Sequence, residues 1–276
     1  MELSTVLVNL EPGRSNKDVL QVTLDCVKAF DVSVVGVAVS EVIQVPFDEA
    51  YMSSSLVEAD LAEKAKQTSA TEALFKKVMG ELVPSPEWRS SIGFTSLASY
   101  VALQARMADL IITAPNSVGL TLEVSRSVDI GDLVMRAGRP VLLVPEGVSH
   151  CRFEAVLVAW KDTLESRRAI SDALPFLRKA GHVTIVEVVP EDDIATAHHR
   201  VRDVVDWLSR HRIASETVIL PALGNDARQI EALAVERGVD LVVAGAYGHS
   251  RLREWMMGGV TREILMQPTR CTLLSH

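Results

Sequence analysis

The sequence predicts an α/β protein built as two tandem doubly wound parallel-sheet domains of about five strands each. Three observations carry this expectation. Short Val/Ile/Leu runs alternate with segments of helical periodicity. The runs are continuously apolar, as strands covered on both faces of a parallel sheet require. The whole pattern occurs twice within 276 residues, and two domains of ordinary size fit that length.

The elements follow in order. Val6-Leu7-Val8-Asn9-Leu10 opens the first copy and Val156-Leu157-Val158-Ala159-Trp160 the second, at an offset of 150. Each leads through a polar turn into a helix, with Leu20, Leu24 and Val27 in the first and Ile170, Ala173, Leu174 and Leu177 in the second at helical spacing. Pro175 falls inside the second of these helices and predicts a kink. Ala108-Asp109-Leu110-Ile111-Ile112 matches Val239-Asp240-Leu241-Val242-Val243 at an offset of 131, which persists to Leu142-Leu143 against Leu273-Leu274. The first copy therefore holds 19 more residues between its first and fourth strands. They are expected as a loop over 41–56, around Pro46 and Ser53-Ser54-Ser55. Strands of the second copy are expected near 154–160, 182–189, 214–220, 239–245 and 270–274. A boundary near 145–152 gives domains over 1–147 and 152–276. Closing strands at 140–144 and 270–274 are expected to pair the domains into an intramolecular pseudo-dimer, with association of two chains left open.

Composition narrows the function classes. A net charge of −8 and a pI near 5.4 argue against a nucleic-acid-coating protein. The longest nearly apolar run, Leu110 to Leu122, is broken by Pro115, Asn116 and Gly119, short of the roughly 20 residues a spanning helix needs. Met1-Glu2-Leu3-Ser4 lacks the basic start of a secretory signal. Cys26, Cys151 and Cys271 are far apart and form no CxxC, which indicates neither a disulfide framework nor a zinc site. The expectation is a cytoplasmic protein that binds no membrane and no nucleic acid.

One segment has chemical content. After the fourth strand of the second copy come Gly245, Gly248, His249, Ser250 and Arg251, then Gly258, Gly259, Val260 and Thr261 at the start of the last helix. Glycines let a ligand approach the main chain, and a helix start offers free N–H groups and the positive end of the dipole. Together these make a site for phosphate. His249, Arg251, Arg253 and Arg262 add charge, and the second copy is near neutral (16 Lys/Arg, 17 Asp/Glu) where the first is acidic (12 and 19). In a doubly wound sheet the ligand lies beyond the carboxyl ends of the strands, where strand order reverses.

With these residues in view, the chain resembles a tandem member of the universal stress protein family over essentially its whole length. The family's nucleotide-binding members carry G-x2-G-x9-G-(S/T) after the fourth strand, and Gly245, Gly248 and Gly258 match in residue and spacing. The resemblance implies an adenine nucleotide alpha hydrolase-like fold. It also implies ATP or a related adenine nucleotide, with Mg, in the C-terminal domain. The phosphates would lie against Gly245, Gly248, His249, Arg251, Gly258, Gly259, Val260 and Thr261, and the adenosine against Ala159, Trp160, Lys161, Asp162 and Val188. Two positions depart from the pattern. Gly259 stands where a Ser or Thr hydroxyl would hold phosphate, and Lys161 where the first strand ends in Asp. Asp162, with Glu165 three residues on, also reads as a helix N-cap and capping box; core packing accounts equally for the region of Val186 to Val188.

The first copy has Ala114, Ser117, Ser127 and Val128 at the matching positions, so it is expected to bind no nucleotide in this mode. P-loop, GxGxxG and GxSxG patterns do not occur, and His198, His199 and His211 read as a polar helix face. Two function classes result. One is a stress protein that binds an adenine nucleotide and acts through conformation or protein partners, with slow ATP hydrolysis at most. The other is an interaction scaffold of the same fold with no cofactor.

Overall fold

The computed structural model describes residues 2–42, 50–93, 96–115, 127–246 and 268–276. These residues fall into two compact units, one of Leu3–Arg139 and one of Pro140–His276 together with Glu2.

The first unit runs β1 (Thr5–Asn9), α1 (Lys17–Phe30), β2 (Ser33–Glu41), α2 (Ala50–Met79), β3 (Glu87–Gly93), α3 (Leu97–Gln104), β4 (Leu110–Thr113) and α4 (Ile130–Ala137). Its strands are parallel in the order β3-β2-β1-β4. Val6, Leu7 and Val8 on β1 and Leu110, Ile111 and Ile112 on β4 are fully buried, the burial on both faces that their unbroken apolar sequence anticipates. The loop expected over 41–56 is corrected at both ends: Glu41 closes β2 and residues 50–56, with all three serines, belong to α2, while 43–49 lie outside the described residues. The stretch from Ala50 to Met79 holds no Pro or Gly, and serine costs a helix only a few tenths of a kcal/mol, roughly. A 30-residue α2, against 17 for its counterpart in the second unit, absorbs most of the extra length.

The second unit runs β5 (Val141–Leu143), β6 (Ala155–Ala159), α5 (Leu164–Asp172), α6 (Leu174–Lys179), β7 (His182–Val189), α7 (Ile194–Arg210), β8 (Glu216–Pro221), α8 (Asp226–Glu236), β9 (Leu241–Gly245) and β10 (Cys271–Ser275). Strand order is β5-β10-β9-β6-β7-β8. All neighbours are parallel except β5, which runs antiparallel to β10 with Leu142 opposite Leu273. The expected pairing of 140–144 with 270–274 is thus present, inside this unit. Pro175 acts as anticipated. It has no N–H to give Ser171, so the helix stops at Asp172 and restarts at Leu174 with the proline in the first turn of α6.

The two units share an anchoring device. Asp109 Oδ2 accepts from the backbone N–H groups of Ser4 (2.9 Å) and Thr5 (3.0 Å), fixing the start of β1 against the turn before β4. Asp240 Oδ2 accepts from Glu154 N (3.0 Å) in the same way before β6. Buried apolar packing does the rest: Leu157, Val186, Ile230, Leu233, Val239 and Val242 form one cluster beneath α8, and the Phe153 and Phe176 rings meet at 5.0 Å.

Helix α7 ends in a Schellman motif, with Ile213 N donating to Leu208 O (3.0 Å) and Arg212 N to Ser209 O (2.9 Å). The position that favours glycine is held by Arg212 at φ 64°, a conformation that costs a residue with a Cβ about 1–2 kcal/mol. Among the described residues no helix is long and apolar enough to cross a membrane.

Candidate functional site

Strand order reverses around β6 in the second unit, with β7 on one side and β9 on the other. At the carboxyl ends of β6 and β9, Ala159 and Ala244 stand in register, and the chain continues into Trp160-Lys161-Asp162 on one strand and Gly245-Ala246 on the other. Both side chains at this register step are single methyl groups. Gly245 is forced to be glycine by packing: a Cβ there would lie 2.6 Å from Glu165 C and Ser166 N. The end of β9 is thereby pressed against the first turn of α5. Thr163 Oγ1 caps that turn by accepting from Ser166 N (3.3 Å).

The Asp162 capping box is corrected by this arrangement. The N-cap is Thr163, in extended geometry, and Asp162 Oδ1 pairs with Arg167 Nη2 at 2.5 Å on the surface. Asp and Thr cap a helix through the same chemistry, so the sequence left the choice open by one residue. Gly245 packs against the turn that Thr163 caps.

The other expected adenosine-side residues divide between the two faces of the sheet. Ala159 and Val188 pack toward the α8 cluster. Trp160, next along the chain, falls on the opposite face, buried, with its backbone N donating to Val186 O (2.8 Å). Lys161 is exposed. The structure therefore brings Ala159, Lys161 and Gly245 to the switch point and turns the Trp160 indole into the core. Gly248, His249, Arg251, Gly258, Gly259, Val260 and Thr261 lie outside the described residues.

Sequence reading missed Glu187. Continuing the β6–β7 register places it beside Trp160 on the same face. It is buried, and Arg200 of α7 spans it and Asp193 through Nη2 at 3.0 and 3.1 Å. Three buried atoms here have no hydrogen-bond partner among the described residues: Trp160 Nε1, Glu187 Oε2 and Arg200 Nε. A lone carboxylate in the apolar run Val183–Val189 was the available signal. Burial pushes the Glu187 carboxyl above its usual 4.5, against the opposing pull of Arg200; Asp193 and Asp162 add to the rise. A carboxyl whose pKa is raised by folding stabilises the fold when protonated. Its contribution is therefore lost as pH climbs from 4.5 through the folded-state value. Glu187→Gln is expected to remove that part of the pH dependence, so that urea midpoints measured from acid to neutral pH fall less steeply than in the wild type.

His198 and His199 are exposed on α7, and among the described residues no group of three His, Cys, Asp or Glu is placed to hold a metal.

The family model described as universal stress protein family matches residues 152–270. The chain carries a universal stress protein domain. Its fold agrees with solved structures along its whole length. A universal stress protein from Archaeoglobus fulgidus DSM 4304 superposes with a TM-score of 0.73 at 14% identity, covering 98% of this chain and 97% of that one. A functionally unknown protein from Pseudomonas aeruginosa PAO1 gives 0.63 at 14% identity, over 99% and 92%. At that identity the likeness concerns the fold, a tandem pair of doubly wound units. No curated protein matches the sequence. In this universal stress protein domain the matched stretch runs from the segment before β6 to the residue before β10, and so includes the whole glycine segment.

Proposed function

We propose that the universal stress protein domain binds ATP or a related adenine nucleotide at the carboxyl ends of β6 and β9, and that the protein acts through conformation or protein partners rather than turnover. The carrying observation is a contrast between the two units. In the second, the switch point is lined by Ala159 and Ala244. At the matching place in the first unit, Asn9 Nδ2 donates to Thr113 Oγ1 at 2.9 Å, and both side chains are buried. That bridge puts two hydrogen-bonded polar side chains where the second unit has two methyl groups. Ser127 and Val128, at the positions of Gly258 and Gly259, are buried as well, which supports a first unit that does not take nucleotide in this mode.

Lys161 is exposed beside the proposed site, and Gly258, Gly259, Val260 and Thr261 would supply backbone N–H groups and a hydroxyl at the helix start expected from the sequence. Magnesium would come with the phosphates, since it is commonly held by one or two carboxylates and the substrate's own oxygens.

The test is to denature protein purified without added ligand, identify what is released by mass spectrometry, and titrate the stripped protein with ATP calorimetrically. One adenine nucleotide per chain is the expected result. Two per chain would overturn the asymmetry, and none, with no heat from ATP, ADP or AMP, would leave an interaction scaffold of the same fold.

A further inference from the structure

The far end of the second unit carries a different feature. Helices α6 and α7 both run back toward the amino ends of the strands and stop before β7 and β8 begin. A recess of about 390 Å³ lies between their last turns, lined by Arg178, Arg210, His211 and Arg212. Arg178 Nη2 is 3.5 Å from His211 Nδ1, and the His211 ring is held edge-on against Trp207 at 4.4 Å.

This concentration of positive charge is unbalanced. Among the described residues, Arg14, Arg89, Arg136, Arg167, Arg200, Arg237 and Arg270 each have a carboxylate within 4.0 Å. For Arg178, Arg210 and Arg212 no such pair occurs among the described residues. Asp206 sits one helical turn before Arg210 on α7 without pairing to it. In a chain of net charge −8, three guanidinium groups with no carboxylate partner among the described residues run against the overall balance around one recess.

Arg212 adds an independent signal. It occupies the left-handed position of the α7 Schellman motif at φ 64°, where glycine suits the backbone better. A strained conformation held by an exposed charged residue marks a place where the side chain matters more than the turn.

The geometry points to a second anion site: the recess binds a small anion carrying two or more phosphate groups. Planar guanidinium forks pair with phosphate oxygens two at a time, three of them suit an anion with several such oxygens, and His211 can donate to it from Nε2 while Nδ1 faces Arg178. The site is at the opposite end of the sheet from the nucleotide position proposed above and stands independently of it.

Basic residues in last turns also favour helix dipoles, and one substitution separates the two roles. Titration of the full chain with inorganic pyrophosphate is expected to show saturable binding that weakens with salt. Arg212→Gly is expected to cut that affinity about tenfold or more, the loss of one bidentate contact, while the thermal midpoint stays level or rises because the turn is relieved. Arg178→Ala with Arg210→Ala should weaken binding further, and Arg202→Ala, on an exposed part of α7, should leave it unchanged. The proposal is overturned by an Arg212→Gly protein with wild-type affinity, by an equal loss in Arg202→Ala, or by the absence of saturable binding in the wild type. Nucleotide binding at the β6–β9 end, measured separately with AMP, whose single phosphate does not meet the requirement of the recess, should be the same in Arg212→Gly as in the wild type, so the two sites can fail independently.

Discussion

Replacing Gly245 with alanine is expected to destabilise the second unit by about 1–3 kcal/mol, the usual range for forcing an extra carbon into a filled site. On chain entropy alone the change would stabilise by about 0.4–1 kcal/mol. Packing reverses the sign. The new Cβ would lie 2.6 Å from two backbone atoms of Glu165 and Ser166, which cannot swing aside as the end of a side chain could. Relief requires β9 or the first turn of α5 to move, and both border the proposed site. Urea denaturation should show a lower midpoint with an unchanged slope, and calorimetry should show weaker ATP binding as a consequence. A midpoint equal to or above that of the wild type would mean that Gly245 is free of the helix in solution.

Gly258→Leu is expected to do the reverse: affinity for ATP falls about 100-fold while stability barely changes. The proposed role of Gly258 is to let phosphate reach the main chain at a helix start. A leucine side chain denies that approach. Two charge-assisted hydrogen bonds worth about 1.5 kcal/mol each amount to two factors of ten in affinity. Isothermal titration with ATP, set beside thermal denaturation of the unliganded protein, reads both quantities. Retained affinity would remove the glycine segment from the site. Equal losses of affinity and stability would instead assign Gly258 the packing role that Gly245 has. The pair thus divides one sequence motif into a residue that the fold requires and one that the ligand requires.

Much of the architecture could be read directly from the chain. The duplication, the parallel sheets and the strands expected at 182–189 and 239–245, the latter observed as Leu241–Gly245, follow from two offsets and from apolar runs too long to alternate. The break at Pro175 follows from one missing N–H. Legibility failed where several residues offer the same local chemistry. Asp162 and Thr163 are both competent caps, and the folded chain uses Thr163, at the turn against which Gly245 is packed. The serines at 53–55 read as a loop, yet a helix without Pro or Gly extends through them.

By itself, then, the sequence determined what depends on the order of residues along the chain: periodicity, burial on both strand faces, the matched glycine spacing and the family to which the second domain answers. Tertiary structure decided what depends on pairs distant in sequence. It set Asn9 against Thr113 in one unit and Ala159 against Ala244 in the other, and it put Glu187 beside Trp160 beneath Arg200. It also gathered Arg178 and Arg212 at one recess from two different helices. The physical reason is that side-chain contacts are short-ranged. Whether two groups bond, clash or leave space is fixed within a few ångströms, and strand register, rather than local propensity, places them there.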